Sequence, residues 1–288
     1  MAAGSGISSY TSVPEPELEE EEGMNARSRS VFAVSLVFLC AAPASAKGQE
    51  RVPERPEDTE FWQPVPPVVT PGPLPAPIPP PSDALILFDG TNLHEWVNAR
   101  DGSDAGWVVS GGVLTVDKAA GDIQTRRHFK DYQLHIEWRI PDDITGSGQA
   151  RGNSGLYMAK PEGESQGYEL QILDSFGNET YVNGMAGSIY KQSIPLVNPS
   201  RRPGEWQTYD VIWTAPAFGP NGSLEKPARV TAFFNGVLVQ NDVELRGDTR
   251  YIGLPQYIAH GEAPILLQAH GDPSSPISFR NIWVRELK

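Results

Sequence analysis

The residues best equipped for chemistry lie on short alternating runs. In Gly167-Tyr168-Glu169-Leu170-Gln171-Ile172-Leu173-Asp174, Tyr168, Leu170 and Ile172 fall on one side of an extended backbone, Glu169 and Gln171 on the other. In Leu134-His135-Ile136-Glu137-Trp138-Arg139-Ile140, the four apolar residues share one side, and His135, Glu137 and Arg139 share the opposite one. A third run, Leu267-Gln268-Ala269-His270-Gly271, sets Gln268 and His270 on one face. Carboxylates, an imidazole and a guanidinium gathered on a sheet surface supply general acid–base chemistry, with a cation to stabilise developing negative charge. If the strands around 132–140 and 168–174 are neighbours, Arg139 supports or orients Glu169 over a common polar hollow.

Each candidate also has a plainer reading. Glu169 reads equally as a solvated surface carboxylate. Glu137 and Arg139 make an exposed pair of opposite charge, which stabilises little. His270 reads as a strand-end histidine before a glycine turn, and Asn153 as turn chemistry beside Gly152. Asn153, Gln171 and Gln268 are suited to hydrogen-bonding hydroxyl groups. Tyr190 and Lys191 lie on the irregular stretch 175–205, whose length marks it as a rim around a binding site. No cofactor fingerprint and no regular metal-ligand spacing appears, although a divalent cation shared among His135, Glu137, Glu169 and His270 stays open.

The elements that must position these residues read as strands. Ala84–Phe88, Trp107–Val109 with Val113–Val116, 122–125, 132–140, 153–158, 168–174, 206–214, 229–241 turning at Asn235-Gly236, 264–270 and 277–287 alternate or run apolar between turns. No helical period persists over three turns. The 28 glycines and 27 prolines agree with many turns, and the reading is all-β: a sandwich of two antiparallel sheets.

The chain of 288 residues carries a net charge of −13, which argues against a basic groove for nucleic acid. Residues 1–23 are small and acidic and read as an upstream extension. From Met24, Arg27 and Arg29, the apolar run from Val31 to Ala42 and Ala44-Ser45-Ala46 form a secretory signal, cleaved after Ala46. The run is too short to span a bilayer, so we expect no integral membrane protein but a secreted or periplasmic one. The only cysteine, Cys40, lies inside that run, preceded by bulky Phe38 and Leu39 rather than the small residues of a lipidation site. Residues 47–82, Pro-dominated from Pro64, read as an extended spacer, and the folded domain as 83–288.

Several stretches together resemble the 3-keto-disaccharide hydrolase family: LFDG…W near 87–96, GGVL at 111–114, DYQLHIEWRI at 131–140, GNSGLY at 152–157, YELQILD at 168–174 and FRNIWVREL at 279–287. The resemblance spans 84–288 in order. It implies a concanavalin A-like jelly roll and activity on glycosides already oxidised to a ketone at C3. In some relatives cleavage is a 1,2-elimination followed by hydration rather than direct hydrolysis. The resemblance leaves elimination, hydration or both open here, with an upstream glycoside 3-oxidoreductase supplying the small-molecule sugar substrate. On that resemblance Glu169 is the leading acid/base residue. A laminarinase-type glucanase needs two acids about 5 Å apart, but Gln171 stands where the second would help. A non-catalytic, lectin-like module is the remaining alternative, because fold does not fix function.

Overall fold

The structure is a computed structural model and describes residues 52–73, 79–164 and 166–288. The upstream extension, the signal segment and Cys40 lie outside the described residues. In chain order the strands are β1 (Leu85–Phe88), β2 (Trp96–Asn98), β3 (Val108–Ser110), β4 (Val113–Thr115), β5 (Ile123–Thr125), β6 (Tyr132–Arg139), β7 (Ser154–Ala159) and β8 (Tyr168–Ile172). They continue as β9 (Trp206–Thr214), β10 (Ala217–Phe218), β11 (Leu224–Lys226), β12 (Arg229–Phe234), β13 (Val237–Glu244), β14 (Leu266–Leu267) and β15 (Ser278–Glu286). The only helical turns among the described residues are three short 3-10 segments.

Two antiparallel sheets carry the fold. The larger runs β13-β12-β9-β6-β15-β4-β3, with β1 also paired to β15; the smaller runs β2-β5-β14-β7-β8. Alternation decides their inner faces. Leu134, Ile136 and Trp138 of β6 and Tyr209, Val211 and Trp213 of β9 meet Leu156 and Met158 of β7 and Leu170 and Ile172 of β8 in one apolar core. The Asn235-Gly236 turn forms as read, with φ of 52° and 77°, the left-handed pair that a two-residue hairpin turn requires.

This arrangement corrects the expectation that strands 132–140 and 168–174 are neighbours. β6 pairs with β9 and β15 in the large sheet, and β8 pairs with β7 at the edge of the small one. Because both direct their apolar residues into the shared core, their polar residues point away from each other. His135, Glu137 and Arg139 therefore lie on the outer face of the large sheet, and Glu169 and Gln171 on the outer face of the small one.

The edge strand β8 is nonetheless buried on both faces. Its outer backbone is padded by the 175–205 excursion: Gln171 N–H donates to Ser188 O (3.0 Å), Gly187 N–H to Gln171 O (3.1 Å) and Tyr190 N–H to Glu169 O (3.1 Å).

The presumed spacer is also corrected over its described part. Residues 56–72 lie on the domain as a strap. Asn183 grips its backbone from both sides, accepting from Phe61 N–H (2.9 Å) and donating to Thr59 O (2.9 Å). Val182 N–H donates to Phe61 O (2.6 Å), Asn198 N–H to Pro67 O (2.9 Å) and Arg201 Nη2 to Gly72 O (2.6 Å).

Candidate active site

A pocket of about 160 Å³ opens on the outer face of the small sheet, lined by Gln149, Asn153, Tyr157, Glu169, Gln171, Tyr190, Thr249, Tyr251, Gln268 and His270 among others. Registry explains the convergence. Glu169 on β8 stands opposite Tyr157 on β7, and Gln171 opposite Gly155. Gln268 follows β14, the next strand over, and donates its N–H to Gly155 O (3.0 Å). Gly155 matters here because a Cβ at that position would lie 3.0 Å from the Glu169 Cδ and 3.0 Å from the Tyr157 ring. The bare backbone gives the carboxyl its room.

Glu169 is 5 % exposed. Burial pushes its pKa up to about 8; a hydrogen bond from the Tyr157 hydroxyl opposes the rise, and the nearby Asp122 carboxylate adds to it. Burial likewise holds Tyr157 well above the usual phenol range, reinforced by the charges of Glu169 and Asp122, so this hydroxyl remains a donor. Gln268 Nε2 reaches the Tyr157 oxygen at 3.4 Å. The result is a carboxyl poised near neutrality, with a fixed phenol beside it.

A chain of amides forms the next wall. Gln171 Nε2 donates to Asn153 Oδ1 (2.9 Å), Asn153 Nδ2 to Gln149 O (2.9 Å), and Gln149 Nε2 to Thr180 Oγ1 and Gly184 O (both 2.8 Å). Among the described residues the buried oxygens Gln171 Oε1 and Gln268 Oε1 have no hydrogen-bond donor. Opposite, His270 Nδ1 lies 3.2 Å from Asp272 Oδ2, and that carboxylate also takes Lys118 at 3.1 Å. Asp122, half-buried beside this wall, accepts from Ala269 N–H (2.7 Å); burial raises its pKa against that hydrogen bond and the charges of Lys160 and His270.

Of the residues singled out from sequence, Glu169, Gln171, Asn153, Gln268, His270 and Tyr190 line this one pocket. Lys191 does not. Its ammonium turns behind Tyr190 to bind the strap at Pro56 O (2.7 Å) and the 251 loop at Tyr251 O (2.9 Å), with Glu60 at 3.9 Å.

His135, Glu137 and Arg139 belong to a separate network on the far face. His135 Nδ1 meets Asp210 at 2.7 Å, and Glu137 takes Arg280 (2.6 Å) and Asn281 (2.9 Å). Arg139 lies over the Trp206 ring at 4.6 Å. Burial disfavours the His135 imidazolium, but its hydrogen bond to the Asp210 carboxylate and the Glu137 carboxylate 3.7 Å from Nε2 prevail and lift its pKa to about 9. Burial pushes Glu137 up, yet His135, Asn281 and Arg280 together bring it down to about 2. A cation shared among His135, Glu137, Glu169 and His270 is therefore ruled out by geometry: the four side chains sit on opposite sides of the sandwich. Among the described residues no group of three or more His, Cys, Asp or Glu side chains is placed to hold a metal ion.

Tyr157, Asp122 and Gln149 were not singled out from sequence. Tyr157 had a signal: it alternates with core-facing Leu156 and Met158, which puts it on the face of Gly155 and Asn153.

An antiparallel two-sheet sandwich with a ring-sized, amide-lined pocket around a carboxyl of raised pKa defines a jelly-roll protein of the carbohydrate-active kind. The chain belongs to the 3-keto-alpha-glucoside-1,2-lyase-like domain family, whose profile matches residues 83–285. It is 52 % identical to a candidate glycosyl hydrolase of known crystal structure from Parabacteroides distasonis ATCC 8503, with a TM-score of 0.70 over 80 % of this chain and 96 % of that one. Two further candidate glycosyl hydrolases from the same organism share the fold, at 21 % identity and TM-score 0.52 (71 % of this chain, 94 % of that one) and at 20 % and 0.50 (71 % and 99 %). No curated protein matches the chain. Among the described residues no helix is long and apolar enough to cross a membrane.

Proposed function

We propose that this protein cleaves glycosides bearing a ketone at C3 of the sugar, by elimination across C1–C2 followed by hydration. The observation that carries the reading is the Glu169–Tyr157 pair on the wall of a pocket the scale of one sugar ring. Family and fold support a carbohydrate-active hydrolase, and the chemistry of this pair narrows it.

A C3 ketone acidifies the proton on C2. Glu169, ionised, takes that proton, and the electrons of the C2–H bond pass toward the ketone oxygen as an enolate. The Tyr157 hydroxyl and the side-chain amides of the pocket are the donors available to an oxyanion there. The C1–O bond then breaks, its electrons leaving on the aglycone oxygen, which is protonated by His270 acting as the acid. The product is a 3-keto sugar with a C1=C2 double bond. Water adds its hydroxyl to C1 and gives its remaining proton to the neutral His270, and a proton returns to C2 from Glu169. Atoms balance as a net hydrolysis without any redox change, so the ketone must come from a separate oxidoreductase acting earlier.

Incubation with a 3-keto-disaccharide in D2O tests this. Deuterium at C2, with release of the leaving sugar and no cleavage of the unoxidised parent, is expected. Cleavage of both sugars at equal rates without exchange overturns it. The glucanase reading loses its second acid, since Asp174 is bound by Arg151 Nε at 2.6 Å and caps Phe176 N–H at 3.1 Å. We also read the protein as exported, on the signal-like segment 24–46; the mature N-terminus should then be Lys47, as N-terminal sequencing will show.

A further inference from the structure

His270 is held through one ring nitrogen only. Its Nδ1 lies 3.2 Å from Asp272 Oδ2, an acceptor, and 3.2 Å from the Asp272 backbone nitrogen, a donor. A single nitrogen satisfies one of them at a time: protonated, it donates to the carboxylate; bare, it accepts from the backbone. The other ring nitrogen, Nε2, has no partner among the described residues, and the ring lines the pocket. The tautomer of His270 therefore decides whether Nε2 meets a ligand as a proton donor or as a lone pair.

The surroundings of Asp272 choose between the two states. Its side chain is 2 % exposed. Oδ1 is occupied by the turn that follows, accepting from Ser274 N–H (2.9 Å) and from Ser274 Oγ. That hydroxyl oxygen accepts in turn from Gly152 N–H (2.9 Å), next to Asn153 of the pocket. Oδ2 is left for His270 and for Lys118, which donates to it at 3.1 Å and staples the turn through Asp272 O (2.7 Å) and Ser274 O (2.8 Å). Burial pushes the Asp272 carboxyl up, but the bonds from Ser274 and Lys118 prevail and hold it below the usual carboxylate range, so it is ionised near neutrality. A charged acceptor holds a proton on Nδ1 more strongly than a neutral amide binds the bare nitrogen. The second carboxylate near this ring, Asp122, is turned to Ala269 N–H (2.7 Å) and makes no bond to the imidazole.

We propose that Asp272 is a positioning residue: it keeps a proton on His270 Nδ1 throughout the reaction, so that Nε2 alone exchanges protons with the substrate. The inference rests on the functional reading above, in which His270 protonates the departing oxygen. In the elimination the Nε2 proton passes to that oxygen and leaves a lone pair behind. In the hydration water returns a proton to the same nitrogen. The Nδ1 proton stays in place through both halves, and Asp272 faces the positive charge of the imidazolium whenever it forms.

The first test needs neither turnover nor a variant. In a 15N NMR spectrum of the protein with labelled histidine, taken where the ring is neutral, His270 should show a protonated Nδ1 and a bare Nε2. Asp272→Asn keeps the turn through its amide oxygen and directs an NH2 group at Nδ1, so both neighbours of that nitrogen become donors and the pattern should reverse. Kinetics then separate positioning from support of the fold. A weakly basic leaving oxygen departs without a proton, whereas a sugar oxygen needs one. Asp272→Asn should slow single-turnover release of the leaving sugar from a 3-keto-disaccharide about a hundred-fold, and release of nitrophenolate from para-nitrophenyl 3-keto-glucoside by no more than about three-fold. Equal losses on both substrates, or none on the disaccharide, overturn the positioning role. Cleavage by a wild type whose Nδ1 is bare overturns it too and leaves the functional reading intact. A protonated Nδ1 in a protein that cleaves neither ketone substrate overturns the functional reading and leaves Asp272 holding the proton.

Discussion

Glu169 has two properties that pull in opposite directions. Burial keeps its carboxyl protonated longer than a surface glutamate, and elimination needs it ionised. With the pKa lifted to about 8, the ionised fraction grows as pH rises through that value, so the acidic limb of the kcat/KM profile should fall near 8 rather than near 4.5. Glu169→Gln should cost about 10²- to 10⁴-fold in kcat, the range of a lost general base. The same burial predicts a stability effect. A carboxyl whose folded pKa is raised contributes its stability at low pH and loses it as pH climbs through the folded value. The glutamine variant should therefore melt above wild type at pH 9 and level with it at pH 4, as calorimetry will show. Alternation revealed Glu169, Gln171, Gln268 and His270, because each stands out of phase with an apolar neighbour, whereas Asn153 was legible only as an amide suited to hydroxyl groups. Asp122 escaped because it opens the short run 122–125, too brief for alternation to set a carboxylate apart from its neighbours.

At the level of elements, alternation reports which side chains share a face of one strand and is silent about which strand lies alongside. β6 and β8 carry the same pattern and end up on different sheets, so His135, Glu137 and Arg139 were grouped with Glu169 on pattern alone. Their network supports the fold instead. Glu137→Gln should destabilise by about 3 kcal/mol, the scale of breaking a buried pair, with kcat unchanged within about two-fold. The pH window follows from the two shifts. His135 stabilisation is complete below its unfolded value of 6.5 and lost as pH rises through about 9, whereas that of Glu137 is present above 4.5 and lost as pH falls through about 2. Urea melts at pH 7 and pH 10 read the first directly.

The strap taught a different lesson. The proline-rich run reads as an extended spacer; prolines lack N–H donors, but their carbonyls remain free to accept. Pro56 O, Thr59 O, Phe61 O, Pro67 O and Gly72 O all accept donors from the domain. Lys191, with φ of 56°, ties that strap to the loop bearing Tyr251. Lys191→Met should raise hydrogen exchange over both 56–61 and 250–254, and raise KM about ten-fold while kcat holds within about two-fold. An unchanged KM would mean the strap is only a cover.

Taken as a whole, the molecule divides labour between its two sheets. The large sheet buries the apolar mass and spends its outer polar residues on ion pairs, and the small one turns its outer face into the pocket. The two-sheet architecture and every strand except the short β2, β10 and β11 were legible in the sequence, since period-two patterns and the Asn235-Gly236 and Gly111-Gly112 turns are local. The pocket's walls were only half legible. Gln149, Thr249 and Tyr251 come from irregular segments brought in by long-range hydrogen bonds, which leave no periodic trace.

Gly155 carries the last consequence. Alanine there meets chiefly the movable end of Glu169 and the rim of one ring, with no backbone in the way. The sandwich should therefore assemble unharmed while the carboxyl is pushed aside, giving Gly155→Ala a near-normal melting temperature and at least a ten-fold poorer kcat. Reactivity in this protein would then depend on one hydrogen atom standing where every other amino acid places a carbon.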